Sequence, residues 1–164
     1  MKKVTFLFVF AFISCTTFAQ NNTKLLDSIN NLFTQHKVIS DKITLLNHIE
    51  IKNDSIEIRL TSNTQNINKN GQNEFKITFS CLASDILEIT NGSAPAGNKV
   101  IYMKANGDKI KSCFYKNDEI IKEHSFNNKQ NIVLNKMSET EIESIKNLLV
   151  SLINNKGGNV KTNP

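Results

Sequence analysis

Tryptophan is absent from this chain, and arginine occurs once, as Arg59. Proteins that read nucleic acid or phosphate lean on the bidentate guanidinium fork, so no nucleic-acid partner is expected despite a formal charge of +5. That charge is carried by lysine in a background rich in Asn and Ile, and two of the lysines stand at the extreme N-terminus. Histidine is sparse too. His36, His48 and His124 are scattered, with no His-x-x-x-His pair and no Cys-x-x-Cys, so neither a metal site nor a cofactor is expected. Gly-x-Ser-x-Gly, Walker and dinucleotide glycine patterns are missing. An enzyme here would have to assemble its site from residues distant in sequence. No apolar run reaches the roughly 20 residues that cross a bilayer, so no membrane span is expected.

What is present begins with an export leader. Lys2 and Lys3 precede an apolar stretch from Val4 to Ile13, and Thr17-Phe18-Ala19 supplies small residues for cleavage between Ala19 and Gln20. The expected organisation is a signal peptide over residues 1–19, one globular domain over 20–157 and a flexible tail over 158–164. The destination is periplasmic or extracellular. An alternative is lipidation at Cys15, because Ser14-Cys15 loosely matches a lipobox, although Phe12 stands where such boxes carry Leu. Two cysteines survive processing, Cys81 and Cys113. Export permits a disulfide between them. Alternation along the strands puts them on opposite sheet faces, which disfavours it.

Periodicity then defines the elements. Leu25, Ile29, Leu32 and Phe33 recur at helical spacing between Thr23 and His36. Ser138-Glu139-Thr140-Glu141 is a capping box that opens a second helix, with Ile142, Ile145, Leu149 and Leu152 on one face and Gly157-Gly158 at its end. Between them the period is two. Residues 48–52 and 55–60 read as a hairpin across Asn53-Asp54 that sets Glu50 opposite Glu57. Lys52, Arg59 and His48 share that wet face and turn the acid pair into a charge ladder. Further strands cover 75–81, 86–90, 99–105, 108–116, 119–126 and 131–135, with turns at Asn106-Gly107 and Asn117-Asp118. The fold class is α+β: an antiparallel meander of about eight short strands flanked by an N-terminal and a C-terminal amphipathic helix. The element order resembles helix-grip and lipocalin-like barrels in architecture alone. Without Trp the Gly-x-Trp signature is missing, and no family follows.

If Asn106-Gly107 closes a hairpin, residues 99–126 form a three-stranded meander with two apolar faces. Ile101, Met103, Ile110 and Phe114 take one face. Tyr102 and Tyr115, the only tyrosines, take the other among Lys104, Lys109 and Lys111. Lys104 then lies opposite Lys109, an arrangement that costs stability unless an anion or Asp108 relieves it. This is the expected contact surface, suited to an anionic protein or glycan, unless the first helix simply covers it. The composition thus fits an exported binding or interaction domain without evident catalytic machinery. A small periplasmic hydrolase is the alternative from another class. A third reading is a carrier whose cavity is lined by Phe75, Phe79, Met103 and Phe114.

Overall fold

The computed structural model describes residues 21–40, 43–53, 55–64 and 73–161. The expected leader, the expected Ala19–Gln20 cleavage junction and Cys15 lie outside these residues, as does the chain after Lys161. The domain is α+β, with two helices and nine antiparallel strands among the described residues. Helix α1 covers residues 21–35 in its described part. A six-stranded sheet has the order β1 (Val38–Ile39), β2 (Ile43–Lys52), β3 (Ser55–Thr64), β4 (Asn73–Leu82), β7 (Ile110–Lys116), β8 (Glu119–Asn127). A three-stranded sheet has the order β5 (Ile86–Ser93), β6 (Lys99–Ala105), β9 (Lys129–Leu134). Helix α2 spans Glu139–Asn155.

Local chemistry accounts for several of these elements directly. The Ser138 hydroxyl accepts from the Glu141 amide, and the Glu141 carboxylate accepts from the Ser138 amide at 2.8 Å. Those bonds satisfy amides that no helical turn can reach, and they hold the Glu141 carboxyl below its ordinary range. At the other end Gly157 adopts φ +89°, and the amides of Gly158 and Gly157 donate to the carbonyls of Ile153 and Asn154. This is a Schellman cap, for which a left-handed residue is required. The β2–β3 pairing matches the expected register, with Ile49 opposite Ile58 and Glu50 opposite Glu57. Lys52 bridges the acid pair, 3.0 Å from Glu57 and 3.4 Å from Glu50, and its pKa is raised chiefly by the hydrogen bond to Glu57. Asn117 and Asp118 both take positive φ, as a two-residue hairpin turn between β7 and β8 demands.

One expected hairpin is not formed. Asn106-Gly107 does not join paired strands, because β6 pairs with β5 and β9 while β7 pairs with β4 and β8. Gly107 keeps its positive φ, but the turn is a corner between sheets. The chain changes sheet three times: after β4 through a 3-10 turn at Ala83–Asp85, after β6, and after β8 at Asn128. These corners meet. Asn106 donates its amide to Asp85, and Ala105 donates to Asn128, both at 2.8 Å.

The inner faces of both sheets share a single core with the helices. Ile49, Phe79, Ile101, Met103 and Ile132 from the strands meet Ile29 and Phe33 of α1 and the apolar face of α2. The helices lie antiparallel, since Asn155 reaches Asn22 near one end and His36 approaches Glu141 near the other. Each sheet edge is then managed differently. Strand β1 pairs with β2 only at Leu45 and Thr44. Farther along β2, the Asn30 side chain donates to the carbonyl of Ile49 and accepts from its amide, both at 2.9 Å. Buried Asn47 donates from its amide group to the carbonyl of Val133, tying β2 to β9. Beside β5, Lys161 forms a parallel bridge to Glu88. Edge strand β8 carries two bulges, at the register shifts between Ser112 and Phe114 and between Phe114 and Tyr115.

The tail expected from residue 158 onward is instead docked as far as Lys161. Val160 is buried, and its amide and carbonyl are both bonded to the Asn154 side chain. Gly158 has no room for a side chain: a Cβ would stand 2.4 Å from Ile153 Cγ2 and 2.9 Å from the Ala83 carbonyl.

Candidate functional site

The strand pairing divides four of the five expected contact residues between two sheets and leaves the fifth at the corner. Tyr102 and Lys104 lie on the outer face of β6, opposite in parity to Ile101 and Met103, which are buried. Tyr115 and Lys111 lie on β7, on the outer side of the six-stranded sheet. Lys109 sits at the corner, its ammonium 3.9 Å from Asp85. Tyr102 and Tyr115 are each half-buried. Helix α1 covers neither face as its main task, because Ile29 and Phe33 are spent in the core.

Around Tyr102 the sheet assembles a group that spacing alone did not reveal. Lys104 pairs with Glu88 on one side and with Lys129 on the other. The expected pairing of Lys104 with Lys109 is not formed, because β6 does not pair with β7; the lysine that Lys104 faces comes from β9. In the next row Tyr102 pairs with Thr90 and Asn131. The Lys129 ammonium stands 4.1 Å from the Tyr102 ring centroid, within cation–π range. The ring also leans over Gly92, where a Cβ would meet Tyr102 Cε2 at 3.0 Å. Tyr102 therefore has a structural task as well, covering a glycine of the neighbouring strand. The resulting groove of about 320 Å³ is lined by Glu88, Thr90, Tyr102, Lys104, Asn128 and Lys129. Lys129 escaped sequence reasoning because β9 begins there and not at residue 131. Extending the period-two pattern backwards from Ile132 would have found it.

The second tyrosine belongs to a different environment. Lys76 lies over the Tyr115 ring at 4.8 Å and also pairs with Asp118. Hydrogen bonding with Cys113, followed by burial, pushes the Tyr115 phenol above its usual range. A larger surface groove, about 710 Å³, runs along α2 past Asn91, Glu143 and Leu148. Its acids are already engaged, Glu139 by Lys99 and Glu143 by Lys146 and Asn91. Of the residues named for a carrier cavity, Phe79 and Met103 pack in the common core, while Phe75 and Phe114 are half-buried.

Among the described residues no cluster of three His, Cys, Asp or Glu side chains could hold a metal ion. His48 is exposed on β2, whereas His36 is largely covered and faces Glu141 at 3.9 Å. The side chain of His124 lies outside the described residues. Among the described residues, no helix is long and apolar enough to cross a membrane.

Cys81 and Cys113 are both buried and unbridged. Cys81 pairs with Ile56 on the core side, and Cys113 pairs with Thr78 on the outer side. Burial pushes the Cys81 thiol up to about 11, with Asp85 adding to the effect. Alkylation of the native protein is therefore expected to be slow at Cys81, since the thiolate is the reactive form. After denaturation without reductant both thiols should label fully. An intact mass lighter by two hydrogens, with no labelling, would overturn this expectation.

No protein-family model matches this chain, and neither the curated proteins nor the solved structures give a match. The reading of function therefore rests on the chemistry of the surface.

Proposed function

We propose that this is an exported, non-catalytic binding domain, periplasmic or extracellular, that contacts an anionic partner through the outer face of its three-stranded sheet. The observation that carries the proposal is the Lys104–Lys129 pair, set directly across two strands beside Tyr102. Like charges in that arrangement oppose sheet formation, by a few tenths of a kcal/mol up to about 1 kcal/mol. A bound anion converts the repulsion into attraction. Lys104 and Lys129 are exposed and lie outside the core, so their identity is not dictated by packing. Exposed ion pairs contribute only about 0–1 kcal/mol each, so binding through them is modest and salt-sensitive.

Retention on immobilised heparin and immobilised polyglutamate at low salt tests the proposal. The native protein should be retained and should elute as salt rises. A double variant, Lys104→Glu with Lys129→Glu, should flow through while keeping the native circular-dichroism spectrum. A control with the same charge change on the other sheet, Lys111→Glu with Lys116→Glu, should stay bound. Equal loss from both double variants would show a diffuse charge effect and defeat the assignment of the face. Retention of the first variant would defeat it as well.

A further inference from the structure

Resting on that reading, we infer that the ligand of the Tyr102 groove is an acidic saccharide, a sugar bearing a carboxylate, and not a plain polyanion. Two ammonium groups alone would suit any anion. This groove also contains Glu88, paired across the strands with Lys104 itself. A carboxylate at that point repels phosphate chains, which offer it only more negative charge, and acidic peptides, which have only their backbone amides to set against the same repulsion. A uronate ring instead carries one carboxylate and several hydroxyl groups. The carboxylate can lie between Lys104 and Lys129, while a ring hydroxyl donates to Glu88.

The other lining groups fit the same division of labour. Thr90 contributes a hydroxyl, and Asn128 contributes an amide with both donor and acceptor capacity. These neutral groups add little to the capture of bare charge but match the donor–acceptor pattern of a sugar. Tyr102 acts as a positioning residue, because its ring seats the Lys129 ammonium. The volume of about 320 Å³ falls at the small end of ligand pockets, which range over about 300–1,000 Å³. That favours a short saccharide segment over a folded partner.

The test is titration calorimetry with two probes of equal charge, trigalacturonate and a tri-glutamate peptide blocked at both ends. At low salt the saccharide should bind at least about tenfold more tightly. Glu88→Gln separates the two chemistries by sign. It removes a repelling charge, so the peptide should bind more tightly, while the saccharide loses its strongest hydroxyl acceptor and should bind more weakly. Thr90→Val should weaken the saccharide and leave the peptide unchanged. If the two probes bind alike, or Glu88→Gln strengthens both, the saccharide inference fails and the anion-binding reading stands. If neither probe binds the native protein, both fail. An unchanged thermal midpoint for each variant keeps these outcomes free of folding effects.

Discussion

Phe33→Ala is expected to lower the free energy of unfolding by about 3–5 kcal/mol, the range for truncating a fully buried aromatic side chain. Phe33 has no exposed surface and is among the largest side chains so enclosed. It lies in the same cluster as Ile49, Ile132 and the apolar face of α2. Removing the ring forfeits its transfer free energy and leaves a cavity that two packed helices cannot collapse to fill. A domain of this size has about 5–15 kcal/mol in all, so the loss could reach half or more of it. Urea unfolding followed by circular dichroism measures it. Phe33→Leu, which keeps most of the volume, should cost far less. A Phe33→Ala loss under 1 kcal/mol would show that α1 is not part of the cooperative core.

Asn30→Leu should cost roughly 2–4 kcal/mol although it replaces a polar side chain with an apolar one. Asn30 serves as a substitute strand. Its amide group gives and takes one hydrogen bond with the backbone of Ile49, at a stretch of β2 beyond the reach of β1. Leucine leaves both groups without a partner, at about 1–3 kcal/mol for each buried group. Asn30→Asp provides the sharper test. It retains the acceptor for the Ile49 amide but places a carboxylate against the Ile49 carbonyl, where a donor is required. Protonation restores that donor, so the folded state favours the protonated form and raises the carboxyl pKa. The deficit relative to the native chain should therefore shrink as pH falls through the carboxylic-acid range. A deficit independent of pH would mean that the side chain does not face that carbonyl.

The contrast between α2 and Asn30 shows what could be read in advance. The capping box, the apolar stripe and the terminal glycines of α2 all act within a few residues of one another, so their meaning does not depend on the rest of the fold. The β2–β3 register was equally legible, because a short turn leaves little freedom in how its strands align. Asn30 carries no such sign. On a helix it reads as an ordinary polar residue at the margin of the stripe, and its role exists only because an incompletely paired strand lies beside it. The candidate site divides in the same way. The outward parity of Tyr102 and Lys104 follows from the alternation with Ile101 and Met103. Their companions Glu88 and Lys129 come from strands that the turn signals did not assign to that sheet.

Asn106-Gly107 marks the boundary between the two kinds of information. The sequence by itself determined that the chain bends there, where Gly107 adopts a positive φ, and it determined which side chains of the adjoining strands face inward. Both properties are set by neighbouring residues, through backbone sterics and the two-residue period of a strand. Only the tertiary structure decided that the bend is a corner and not a hairpin, and so parted Tyr102 from Tyr115 and brought Lys129 to Lys104. That choice is made by burial. Both sides of the corner carry apolar inner faces, and one core closes around α1 and α2 when β6 lies between β5 and β9 while β7 joins β4.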